Sequence, residues 1–247
     1  MRKLSKNCDT IYHLAAIIGV DVVSERNLET MEYEFEGLKN VCFAAKENKI
    51  SRIIYSSSSG VYGKLNYDKN VKENVAVAPV SAYAIAKRSA ELYLQNFYSE
   101  FKISSIAVRL FNVYGPRQDR RMVIKRFIEN AIKNEPLLIY GNGKQTRDFT
   151  YVDDCAKVFK LLGKVKGFHI LNSSKGKDYS INYLAKKIVK LLNSKSKIIH
   201  IEVPTKLSEF QVEKRCGNSN KLRKLINYKP DTEFEIGLKR TILSEFK

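Results

Sequence analysis

Residues that hold metals are scarce in this 247-residue chain, which has three histidines and four cysteines. Cys8, Cys42, Cys155 and Cys216 lie far apart without a C-x-x-C spacing, which excludes a zinc knuckle or a redox pair and leaves reduced, structural thiols. His13, His169 and His200 are equally scattered, none of them one helical turn from another histidine or a cysteine, so no protein-bound metal is expected. No stretch approaches the roughly 20 consecutive apolar residues that span a bilayer, and Met1-Arg2-Lys3 leads into Leu4-Ser5-Lys6-Asn7 instead of an apolar signal core. The expectation is a soluble, cytoplasmic protein without membrane insertion. Internal repeats and low-complexity segments are missing as well. So is any G-x-G-x-x-G turn, the usual seat for a dinucleotide's pyrophosphate.

What is present is a foldable, basic chain. With 44% hydrophobic and 28% charged residues it can bury a core as one domain, or one domain with a small lobe. The 44 Lys+Arg against 26 Asp+Glu give a net charge of +18, which favours anionic partners. The lysines are spread along the chain and no nucleic-acid fingerprint accompanies them, so the expectation is a lysine-rich surface suited to anionic substrates, with no specific nucleic-acid binding.

Periodicity predicts a strand from Thr10 into the small residues after His13, a helix over 29–48, a strand over 52–57, a helix over 81–101, a strand over 105–111 and a helix over 122–134. That alternation signals a doubly wound α/β parallel sheet. Beyond Pro136 the pieces shorten: strands at 137–140, 149–151, 167–172 and 198–201, and helices at 153–162, 181–192 and 236–246. Gly141-Asn142-Gly143-Lys144 lacks P-loop spacing and reads as a hairpin turn.

Chemistry concentrates in Tyr83-Ala-Ile-Ala-Lys87 and the upstream run Ser56-Ser57-Ser58-Ser59-Gly60-Val61-Tyr62-Gly63. On a helix, Tyr83 and Lys87 face the same way. An ammonium beside a phenol favours phenolate and pulls its pKa down from about 10. Such a tyrosine can take a proton from an alcohol whose carbon loses hydride, while a serine hydroxyl such as Ser58 holds the oxygen in register.

Together with His13-Leu14-Ala15-Ala16, residues 109–117 (RLFNVYGPR) and residues 145–154 (QTRDFTYVDD), these segments resemble the extended short-chain dehydrogenases/reductases, in the NAD-dependent nucleotide-sugar epimerase/dehydratase family, in order and spacing. The likeness runs from about Cys8 to the C-terminus and includes residues 225–230 (LINYKP). It implies a Rossmann-like fold, NAD as cofactor and a nucleotide-sugar substrate. Carried over, Ser58, Tyr83 and Lys87 would form the catalytic triad, with Lys87 also reaching the nicotinamide ribose. Leu14, Ala15, Ala16, Ser56 and Phe111 would line the cofactor. Asn112, Tyr140, Arg147 and Lys206 would meet the nucleotide diphosphate and base. Phe111 also reads as plain core, Asn112 as a turn residue and Arg147 as a partner for Asp148 or Asp153.

The resemblance places residues 1–135 in a partial NAD-binding Rossmann domain and 136–247 mainly in a smaller mixed α/β substrate lobe, with some segments returning to the first. It also implies that the chain starts near the family's fourth strand. On that expectation the first strands and glycine turn would come from a complementing N-terminal segment, or the start is misassigned or the gene disrupted. Where 4,6-dehydratases resemble one another in an Asp-Glu pair after the triad serine, this chain has Ser59-Gly60. That favours 4-epimerisation of a UDP-sugar through a 4-keto intermediate; a dehydratase or reductase of the same family, and an inactive binding or scaffold remnant, are the alternatives. Lys206 stands where many relatives carry a phosphate-binding arginine. Family dimers imply a homodimer through helices 29–48 and 81–101.

Overall fold

The structure, a computed structural model, describes residues 1–17, 27–64, 70–205 and 212–246. Its centre is a four-stranded parallel sheet in the order β1 (Thr10–His13), β2 (Arg52–Ser58), β3 (Ser104–Leu110), β7 (Phe168–Ser173). β2 and β3 are buried almost end to end, as strands covered on both faces must be.

Side chains alternate across that sheet, so each face finds its own helices. Ile53, Tyr55 and Ala107 pack with Leu38, Val41, Cys42 and Ala45 of α1 (Asn27–Glu47) and Ala90, Leu94 and Phe97 of α2 (Ala82–Phe101). Ile54, Ile106 and Val108 face the other way, onto Val158, Phe159 and Leu162 of α4 (Val152–Leu162) and Leu222 of α6 (Asn220–Ile226). Each enclosed leucine or isoleucine contributes roughly 1.5–3 kcal/mol. Helices on both faces make the sheet doubly wound, as the alternation of elements predicts.

α2 begins where Ser81 Oγ accepts the Ala84 N–H at 3.2 Å and stops at Lys102, whose left-handed φ of 58° turns the chain away. This cap fixes the register of Tyr83 and Lys87 in its first turns. Glu91 of α2 satisfies two polar side chains inside the sheet: Ser57 Oγ donates to Glu91 Oε1 at 2.6 Å, and Arg109 Nε and Nη2 donate to the two Glu91 oxygens at 2.8 Å each.

A second unit gathers round β6 (Thr146–Tyr151), which pairs in parallel with β4 (Asn112–Tyr114) and β10 (Lys214–Arg215) and antiparallel with β8 (Asp178–Ser180). Its core joins Tyr114, Phe127, Phe149, Leu184, Ile188, Phe234 and Leu238, drawn in part from α3 (Val123–Ile132), α5 (Ile181–Leu192) and α7 (Phe234–Leu243). The two units interleave: β4 and α3 precede Pro136 yet belong to the second, whereas α4, β7 and α6 follow it and complete the first.

The hairpin expected at Gly141 to Lys144 does not form. β5 (Leu137–Tyr140) pairs in parallel with β9 (Ile198–Ile201), and β6 joins a different sheet. Gly141 and Gly143 do take left-handed backbone, at φ 67° and 69°, but Gly143 O accepts the Asn182 N–H of α5, which leads the chain from one sheet to the next.

Candidate active site

Ser58 ends β2 and its Oγ accepts the Gly60 N–H at 3.0 Å, capping the short helical turn Ser59–Tyr62. Gly63 closes that turn at φ 66°, and a Cβ there would lie 1.7 Å from Ala78 O. Only glycine fits. The turn is thereby locked against the approach to α2, whose Tyr83 is near enough to the Ser58 side chain for that hydroxyl to favour its ionised form.

Lys87, one turn further along α2, is fully enclosed. Its Nζ lies 4.6 Å from the Tyr55 ring centroid and 5.3 Å from that of Tyr83. It also lies 2.9 Å from Glu34 Oε2 of α1, in an ion pair with side chains 0% and 2% exposed, although Nζ makes no well-aligned hydrogen bond. Glu34 Oε1 accepts the Ile17 N–H at 2.9 Å. One carboxylate thus holds both the lysine and the loop that follows β1.

Tyr83 does not show the lowered pKa expected from the lysine alone. Burial, reinforced by the Glu34 charge, pushes the phenol up to about 12, with the Ser58 hydroxyl working the other way. Lys87 is shifted down by burial, against the pull of Glu34. His13 on β1 is also lowered, first by burial and then by the Lys87 charge.

The other residues expected at the site are placed as follows. Leu14, Ala15 and Ala16 are exposed on the loop at the carboxyl end of β1. Ser56 is buried and its Oγ donates to His13 O at 3.2 Å, so it holds the base of that loop. Phe111 is enclosed at 1% exposure among Val61, Tyr62 and Val71. Asn112 is exposed just past Leu110, the register partner of Ser58. Tyr140 is half-buried at the end of β5.

Arg147 Nη1 donates to Thr146 O and Val212 O at 2.7 Å each. Asp148 turns instead to the N–H groups of Lys175, Gly176 and Gly217. Among the described residues no carboxylate pairs with Arg147, whose pKa burial lowers. Its register partner Arg215 donates to Gly63 O at 2.8 Å, which sets the Arg147 strand against the end of the Ser59–Tyr62 turn. Lys206 lies outside the described residues.

Glu34 is the residue that the motif reading misses. Its signal is positional: Thr30, Glu34, Leu38, Cys42 and Ala45 form one buried helical stripe, and a carboxylate on such a stripe needs a partner. Among the described residues no helix is long and apolar enough to cross a membrane, and no group of His, Cys, Asp and Glu is arranged to hold a metal.

The chain as a whole is similar to known proteins. The NAD dependent epimerase/dehydratase family profile covers residues 1–172. A UDP-N-acetyl-alpha-D-glucosaminuronate decarboxylase from Bacillus cytotoxicus is 35% identical over 98% of this chain and 78% of its own length. A UDP-glucuronate 4-epimerase from Thermodesulfobacterium geofontis is 30% identical over 94% of this chain and 71% of its own. Among solved structures, a UDP-N-acetylglucosamine 4-epimerase from Methanobrevibacter ruminantium, in complex with UDP-N-acetylmuramic acid, superposes with a TM-score of 0.92 at 32% identity, over 99% of this chain and 79% of that one. With its sheet, its serine turn and its tyrosine–lysine pair all in place, the chain belongs to the NAD-dependent epimerase/dehydratase family.

Proposed function

We propose that this protein is a nucleotide-sugar 4-epimerase acting on a UDP-sugar. The observation that carries the reading is the junction of Ser58, Tyr83 and Lys87 at the carboxyl end of β2, with Ser59-Gly60 beside them in place of carboxylates. The residues present fit the nicotinamide end of NAD: Lys87 Nζ is a buried cation with no aligned hydrogen bond, ready for ribose hydroxyls, and the small side chains of Ala15 and Ala16 leave the loop after β1 open to close approach. Tyr83 and Lys87 would hold that end, Ser56 would support the loop, and Phe111 would back the wall. When bound, the cofactor supplies reversible hydride chemistry at the sugar's C4.

In its phenolate form Tyr83 takes the C4 hydroxyl proton and later returns it, and Ser58 donates a hydrogen bond to the same oxygen throughout. Asn112, Arg147 and Lys206 grip the nucleotide diphosphate, Arg147 offering a desolvated guanidinium to phosphate, and Tyr140 flanks the base. Holding the sugar only by its nucleotide lets the 4-keto ring turn over between faces. Leu28, Tyr33, Phe43, Ile85 and Leu92 remain exposed on α1 and α2, which supports a homodimer through helices 29–48 and 81–101.

Product analysis of the purified chain with NAD and UDP-glucose, UDP-N-acetylglucosamine or UDP-glucuronate tests the reading. The expected product is the 4-epimer, without net NADH. Carbon dioxide release from the glucuronate would instead indicate the chemistry named for the Bacillus cytotoxicus relative, and a 4-keto-6-deoxy product would indicate dehydration. Tyr83→Phe is expected to lower turnover by at least about 10²–10⁴-fold while leaving UDP binding nearly intact; retained turnover removes Tyr83 as the acid/base.

A further inference from the structure

Four elements deliver titratable groups to the space around Tyr83 and Lys87: His13 from β1, beside Lys87 and Glu34, Glu34 from α1, Tyr55 from β2 and Lys87 from α2, with the Ser58 hydroxyl at the edge. Only two of them carry full charges close to the phenol, and they oppose each other. Glu34 Oε2 lies 2.9 Å from Lys87 Nζ, so the ammonium that should favour phenolate has an equal negative charge against it, equally buried. The pair is formally neutral, and a neutral pair offers little net field to a developing phenolate. The second carboxylate oxygen accepts the Ile17 N–H at 2.9 Å, immediately after the exposed Leu14, Ala15 and Ala16.

We propose that Glu34 is a positioning residue for the reaction: its charge restrains the pull of Lys87 on the Tyr83 proton, and its second oxygen ties that restraint to the loop after β1. The proposal rests on Tyr83 serving as the acid/base in the reading above. A merely structural Glu34 would need an acceptor for Ile17 but no charge. Glutamine keeps the acceptor and removes the charge, so Glu34→Gln separates the two roles. The direction follows from geometry: removing the carboxylate beside Lys87 removes a negative charge that opposes phenolate, so the phenol gives up its proton at lower pH, including where Lys87 has itself lost its proton. That matches the upward push that Glu34 exerts on Tyr83 in the wild type, second only to burial.

The test is a titration of the ligand-free full chain carrying isotope-labelled tyrosine Cζ, with Tyr83→Phe used to assign the Tyr83 signal. Removing a charge this close moves a pKa by about one unit or more. From a starting value of about 12, phenolate at about pH 11 is expected to rise from roughly a tenth to about half, a fivefold change. The acidic inflection of the pH–rate profile with NAD and a UDP-sugar should move down by the same step. A Tyr83 signal in folded Glu34→Gln that titrates with the wild type overturns the proposal, whatever the turnover. Absence of turnover on every sugar nucleotide refutes the epimerase reading and leaves the titration to decide Glu34. If Glu34→Gln does not fold, Glu34→Asp, which draws the charge back by one methylene, is read in its place: a smaller downward step supports the proposal and no step overturns it.

Discussion

Lys87→Met removes one charge from a buried pair while keeping most of the side chain's volume. In the structure the ammonium and the Glu34 carboxylate are 2.9 Å apart with side chains 0% and 2% exposed. At an effective dielectric of about 20, their attraction is about 6 kcal/mol, set against the cost of taking both ions out of water. Losing the lysine leaves that cost on Glu34 with nothing to offset it, so Lys87→Met is expected to destabilise the fold by about 3–5 kcal/mol. Adding Glu34→Gln removes the stranded charge and retains an acceptor for Ile17 N–H, and the double variant should return to within about 1 kcal/mol of wild type. Denaturant unfolding of the four proteins at neutral pH, with m-values compared, yields the coupling directly. A Lys87→Met loss below about 1 kcal/mol, or additive single and double losses, would refute the argument that this pair is desolvated and mutually dependent.

The same pair makes a pH prediction. Burial lowers the Lys87 pKa below the ordinary 10.5, so between the two values the folded state binds fewer protons than the unfolded and stability rises with pH. Glu34→Gln, which removes the group raising that pKa, should start the rise at lower pH, as denaturant midpoints measured from neutral to alkaline pH will register. Asp148 works in the opposite direction: burial raises its carboxyl from 3.8 to about 6, so the stability gained from keeping its proton is full below the first value and lost as pH passes the second. Wild type should therefore lose up to about 3 kcal/mol relative to Asp148→Asn across that window, and unfolding curves at its two ends would show a constant difference if the idea is wrong. Gly63→Ala forces a side chain into left-handed backbone and onto Ala78 O, at a cost of at least about 1–3 kcal/mol in thermal or denaturant unfolding; an unchanged midpoint would mean that the turn is not locked.

Much of the sheet is legible in the chain because its strands are short apolar runs and its helices carry one apolar stripe each. α5, β5 and β9 fall where periodicity puts them, and α2 starts at its Ser81 cap. β8, β10 and α6 escape that reading: two or three residues of strand hold no period, and α6 buries a single leucine. The hairpin expected at Gly141-Asn142-Gly143 failed for a related reason. Two left-handed glycines specify a sharp turn, but which strands it joins depends on partners far along the chain, here β9 and α5.

The site divides in the same way. Helical spacing alone puts Tyr83 and Lys87 on one face of α2, and the serine run ending β2 marks where the hydroxyl sits, because both are matters of local geometry. No local rule brings Glu34 to Lys87, frees Arg147 from Asp148, or sets Arg215 against Gly63. Those follow from helices packing across one sheet and strands registering between two, and the first of them bears on the charge that Tyr83 feels. The sequence by itself determined which groups can do the chemistry; only the tertiary structure decided their ionisation, since a pKa is set by burial and by charges that the fold brings from elsewhere in the chain.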